Sequence, residues 1–172
     1  RQVADLTTRQ AQALTTEQLR ALTTVQVRAL ETEDLRALTT AQMQALHTAS
    51  LAALTTQQFA AVTTAQLVVL TTEQVVALTP TQISALTTAQ AGALVTGQVA
   101  ALTTAQVVAL ETADLQALTT AQLVVLSSSQ IAALSLNQVA ALTSLQAQAL
   151  TSAQVGALLS TQVAVLETAD LL

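Results

Sequence analysis

The feature that most constrains this chain is a strict period of eight residues. Positions 5–172 hold 168 residues, or 21 octads, without insertion or deletion. The consensus is A-L-T-T-x-Q-V-x, as in residues 13–20 (ALTTEQLR), 101–108 (ALTTAQVV) and 117–124 (ALTTAQLV). Position two is Leu in every octad except at Val62, and position six is Gln except at Asp34, Ser50, Asp114 and Asp170. No shift in composition marks a boundary, so residues 1–172 read as a single array. In such an array each unit is too small to bury its own apolar face and depends on its neighbours.

Few conformations tolerate a period of eight. One continuous helix fails, because eight residues at about 100° each overshoot two turns by about 80° and the Leu stripe winds around the axis. Strands would keep register, since eight is even. However, Ala, Leu and Gln favour helix, and the Gly, Asn and Asp that strand corners use are scarce. One short helix per octad remains.

The local chemistry specifies where each helix starts. Thr-x-x-Gln is a capping box, with the first Thr at the N-cap and Gln at N3. Leu before the cap and Val, Leu or Ile after Gln occupy N′ and N4, the two halves of a hydrophobic staple. Thr79-Pro80-Thr81-Gln82-Ile83 places Pro80 at N1, the helical position that accepts proline. Ser127-Ser128-Ser129-Gln130-Ile131 repeats the logic with Ser. In Glu31-Thr32-Glu33-Asp34, Glu111-Thr112-Ala113-Asp114 and Glu167-Thr168-Ala169-Asp170, carboxylates take both capping positions, where negative charge suits the helix dipole. The expected fold is all-α, a solenoid of very short capped helices of about six or seven residues, each unstable alone. Leu at position two, Val at seven and Ala at one form the expected interior. Residues 63–70 (TTAQLVVL) recur at 119–126, seven octads on, and the Glu-Thr-Ala-Asp box recurs at the same interval.

Composition excludes several functions. The chain is 52% hydrophobic but holds one aromatic residue, Phe59, so its core is built from Ala, Leu and Val. No Cys is present, which removes disulfides and thiolate metal sites. Lys is absent, and the five Arg fall at positions 1, 9, 20, 28 and 36, with a formal net charge of −5. Nucleic-acid binding needs a basic footprint that most of the chain lacks. Mean hydropathy is +0.56, yet polar residues interrupt every few positions and no run approaches the roughly 18–20 apolar residues of a transmembrane helix. No signal peptide is visible, and the chain opens on Arg1. It closes on Leu171-Leu172. The expectation is an excerpt of a longer array, or a subunit that stacks end to end.

The octad resembles the A-L-T-T-x-Q repeats of very large bacterial surface or secreted proteins, often labelled adhesins or haem-utilisation proteins. That resemblance implies an extracellular or cell-surface location and a structural role. Leu78-Thr79-Pro80-Thr81-Gln82-Ile83 and Leu70-Thr71-Thr72-Glu73-Gln74-Val75-Val76 are also similar to the first helix of transcription-activator-like effector repeats. Nothing here matches the remainder of that repeat of about 34 residues, and the likeness reads as convergence on one capping box.

Candidate chemistry is sparse. His47, the single His, stands where the N-cap Thr belongs, and its nearest potential partner, Met43, sits at a staple position, so it reads as a drifted repeat rather than a haem or metal ligand. Glu31, Glu33 and Asp34 are the densest acidic group, and two or three carboxylates fall short of a hard-cation cage. Ser and Thr have no Lys or His base beside them, so nucleophilic catalysis has no support. No enzyme activity and no cofactor are expected. The candidate interaction surface is the second Thr of the octad, at N1, whose hydroxyl the cap leaves free: Thr16, Thr24, Thr40, Thr56, Thr64, Thr72, Thr88, Thr104 and Thr120. Arg20, Arg28 and Arg36 join it, from position eight of consecutive octads. Later octads carry Val68, Val76, Val108 and Val124 there, which suggests packing between turns or chains. The leading expectation is a structural stalk or fibre segment that self-associates head to tail or laterally. The alternative is a scaffold presenting a regular Thr array to ice or glycans.

Overall fold

A computed structural model describes residues 6–169. Arg1, Asp5, Asp170 and the closing Leu171-Leu172 lie outside the described residues. The chain divides into two compact units, Arg1–Leu86 and Thr87–Leu172.

Each unit is a solenoid of short helices, one per octad. The first contains α1 (Thr8–Ala13), α2 (Thr16–Arg20), α3 (Thr24–Arg28), α4 (Thr32–Ala37), α5 (Thr40–Ala45), α6 (Thr48–Ala53), α7 (Thr56–Ala60), α8 (Thr64–Leu67), α9 (Thr72–Val76) and α10 (Pro80–Ile83). The second contains α11 (Thr88–Ala93), α12 (Thr96–Ala101), α13 (Thr104–Ala109), α14 (Thr112–Ala117), α15 (Thr120–Leu123), α16 (Ser128–Ala132), α17 (Leu136–Ala140), α18 (Ser144–Ala149), α19 (Ser152–Ala157) and α20 (Ser160–Ala169).

The helices begin where the capping box predicts. In α2, Thr15 accepts from the Gln18 N–H at 3.1 Å, and Gln18 Oε1 accepts from the Thr15 N–H at 2.8 Å. The same reciprocal pair opens α5, α7 to α11, and α15 to α19. Pro80 takes N1 of α10, where no N–H is needed. The helices before α20 hold four to six residues rather than six or seven. The reason is the link between them. Leu46, for example, is extended at φ −63°, ψ 135° as the C-cap of α5, and His47 follows extended at φ −65°, ψ 151°. Two extended residues in succession turn the chain and leave at most six of eight for the helix. No positive φ occurs among the described residues, which explains how the array turns with so little Gly.

Packing follows one rule. In the first unit α1 lies against α4, α2 against α5, α3 against α6 and α4 against α7; in the second α11 lies against α14, α14 against α17 and α17 against α20. Within each unit, the helices that pack together are therefore three octads apart. The core comes from positions seven and two. Leu19, Val27, Leu35, Met43, Leu51 and Phe59 are fully buried, as are Leu115, Leu123 and Ile131. Leu38, Leu54, Leu118 and Leu134 of position two are nearly so. Burying such a side chain stabilises by about 2 kcal/mol. Ala of position one contributes less, since Ala37, Ala53 and Ala117 are only half-buried.

Gly92 marks a close approach between turns in the second unit. A Cβ there would lie 3.0 Å from the Ala117 carbonyl oxygen. Its absence lets α11 and α14 draw together.

Candidate functional site

The most heavily used side chain in the octad is the N3 Gln. It is buried from Gln42 onward wherever it occurs with described surroundings, for instance Gln66 at 2% and Gln82 at 1% exposure. Its oxygen serves its own helix. Its nitrogen serves the previous turn. Gln66 Nε2 donates to the main-chain carbonyls of Leu35 (2.9 Å), Arg36 (3.3 Å) and Leu38 (2.7 Å). Gln42 does the same to Ala11, Gln12 and Leu14, and Gln58 to Val27, Arg28 and Leu30. In the second unit Gln138 bonds Val107, Val108 and Leu110, and Gln146 bonds Leu115, Gln116 and Leu118.

These carbonyls close the end of a helix, and helix C-termini leave acceptors that no intrahelical donor reaches. One amide therefore caps two helices: the start of its own and the end of another whose C-cap lies 28 residues earlier. That interval is three and a half octads. Together with the contacts between helices three octads apart, it sets a superhelical turn of three to four octads within each unit.

The sequence reading missed this second role and assigned Gln to the capping box alone. A signal was available. Glu satisfies a capping box as well as Gln does, yet no octad has Glu at position six. The need for an N–H₂ donor accounts for the preference for Gln over Glu, with Asp34, Ser50, Asp114 and Asp170 as the departures.

The N1 threonines stand where expected, each as the first residue of its helix. Thr24, Thr40, Thr56, Thr64, Thr72, Thr88, Thr104 and Thr120 are exposed, and Thr16 is half-buried. Successive octads point in different directions around the turn, because the helices that pack closely side by side are three octads apart. The hydroxyls are thus distributed around each unit. Arg20, Arg28 and Arg36 are exposed and lie on the consecutive helices α2, α3 and α4, so they step around the turn. Arg20 and Thr16 border a shallow hollow with Gln44 and Thr71, while Arg28, Glu31, Glu33 and Thr55 border another of about 390 Å³. Position eight faces the next turn at Gln44 and Gln116. Gln44 Nε2 donates to the Val69 carbonyl and Gln116 Nε2 to the Ala141 carbonyl, both at 2.8 Å. Val76 and Val108 remain exposed there.

The acidic boxes depart from the expectation that carboxylates act as caps. Glu31 and Glu111 take the N-cap positions of α4 and α14 but make no side-chain cap bond. Asp34 and Asp114 are each 2% exposed, and Oδ2 of each has no partner. Burial, then the nearby Glu31 and Glu33 charges, raise the Asp34 carboxyl above its ordinary range. Burial, then Glu111, push Asp114 up to about 6. His47 is exposed at the N-cap of α6 and makes no cap bond. Among the described residues no group of three or more His, Asp or Glu side chains is placed to hold a metal ion. No helix there is long and apolar enough to cross a membrane.

The sequence model of one family, the ALTTAQ repeat, matches at residues 27–64, 59–88, 77–104 and 107–144. No curated protein and no solved structure matches the chain.

Proposed function

The chain belongs to the ALTTAQ repeat family, and on that premise we propose that it is a structural stalk or fibre segment of a bacterial cell-surface or secreted protein, with a spacer, adhesion or matrix role. The observation that carries this reading is the double use of the N3 Gln. Cap, core and cross-link account for positions two, three, six and seven of the octad, so the repeat is occupied with propagating itself. A module of this kind generates length, because each added octad brings its own cap and the donor that fastens it to the preceding turn. The role is non-enzymatic and extracellular, with self-association through head-to-tail or lateral contacts. Contacts of this kind that do not close give filaments.

Protease treatment of intact host cells tests location: a stalk is cleaved from outside, and full protection overturns the reading. Negative-stain microscopy of the purified chain tests assembly, with elongated or stacked particles expected and compact, separate particles counting against a fibre. A second reading, a Thr surface for ice or glycans, draws on the exposed N1 hydroxyls. Thermal hysteresis and glycan-array binding check it, and the distribution of those hydroxyls around the turn favours the stalk.

A further inference from the structure

Two described octads break the consensus in a correlated way. At residues 31–38 and 111–118 the N-cap Thr becomes Glu and the N3 Gln becomes Asp. Glu31 and Glu111 do not cap. Asp34 and Asp114 sit buried at the position where Gln66 and Gln138 donate to main-chain carbonyls, and Oδ2 of each is without a partner. A carboxylate has no proton to donate, whereas a carboxylic acid is neutral and its O–H is a donor. Each acidic octad in its ionised state thus lacks the cap, lacks the donor, and holds a charge in a place shaped for an amide.

We propose that the Glu-Thr-x-Asp octads are acid-stabilised joints of the solenoid, in which protonation of Asp34 and Asp114 removes a buried charge that has no partner and so stabilises the array at low pH. The surroundings of the two groups support this. Asp34 lies on α4 with Glu33 and Arg36 and follows Glu31; α4 packs on α1, which carries Arg9, and on α7, which has no ionisable side chain. Asp114 lies on α14, which packs on α11 and α17; none of the three carries another charge, and Glu111 is the one charged neighbour along the chain. Two octads, one in each unit, share the arrangement. Asp170, in the third such octad, lies outside the described residues.

The direction of the pH effect follows from linkage. Both carboxyls are raised in the folded chain above their ordinary value of 3.8, so the folded state binds these protons more tightly than the unfolded state. The resulting stabilisation is fully present below the unfolded value and is lost as pH rises through the folded one, about 6 for Asp114. The proposal does not depend on the stalk reading.

Thermal unfolding of the full chain between about pH 7.5 and about pH 4.5 tests it against D34N/D114N, which removes both titrations at near-constant shape. The wild type is expected to gain stability on acidification, and the double variant to lose most of that gain. D34Q/D114Q, which restores the consensus amide, should be more stable than wild type at neutral pH. Parallel profiles for wild type and D34N/D114N overturn the proposal. Carbon-13 NMR titration of the Asp carboxyls in the unmodified chain gives an independent reading even if a variant does not fold. Midpoints above the ordinary range, with E111Q lowering that of Asp114, support the joint; midpoints near 3.8 for both overturn it.

Discussion

The first three octads of the first unit and those that follow carry the same motif under different conditions. Gln10, Gln18 and Gln26 form complete capping boxes but are exposed, and the described residues include no turn packed over them. Gln42, Gln58 and Gln66 form the same boxes and are also buried and bonded to the previous turn. Leu14 and Leu22 are half-buried, where Leu38 and Leu54 are buried. The box is therefore a local property, formed with or without a described turn packed over it. The cross-link and the closed core are tertiary properties that need one.

Substitutions that treat the two roles differently sharpen this contrast. The largest expected effect is Gln66→Glu, which keeps an oxygen for the cap but replaces the buried donor with a charge. It should cost about 4 kcal/mol in urea unfolding at neutral pH. Gln18→Glu should be neutral or slightly stabilising, since it sets an exposed carboxylate at a helix N-terminus. Equal losses at the two sites would break the comparison. Next comes the core: Leu38→Ala should cost about 3 kcal/mol and Leu22→Ala about 1 kcal/mol, by the dependence of cavity cost on burial. Thr15→Ala and Thr39→Ala should each cost about 1 kcal/mol. A much larger loss at Thr39 would show that the cap is not local after all. The smallest expected effect concerns Gly92 and Gly156 in the second unit. Gly156→Ala meets nothing within 4 Å and should gain up to about 1 kcal/mol of helix propensity. Gly92→Ala faces the Ala117 carbonyl at 3.0 Å, and that contact should cancel the gain.

Much of the fold is legible in the octad because the information is local. Thr, Gln and Pro80 specify where a helix starts through bonds spanning three residues. The buried Leu and Val positions follow from the staple. The helices end sooner than their periodicity suggests, because linking them takes two extended residues. The N1 threonines are legible as first-turn residues. Their spread around the turn is not, since it depends on how many octads complete one.

The acidic boxes show why residue type alone misleads. Carboxylates at N-cap and N3 suit the helix dipole in isolation, but N3 is buried by the turn packed over it, and desolvation outweighs the dipole for Asp34 and Asp114.

The sequence by itself determined that this chain is a run of capped short helices with Leu and Val inside, because capping and stapling are satisfied within one octad. Only the tertiary structure decided that a turn takes three to four octads and that the N3 amide fastens each turn to the one before. Those features rest on bonds spanning 28 to 31 residues, and an eight-residue motif holds no local geometry that fixes such a distance.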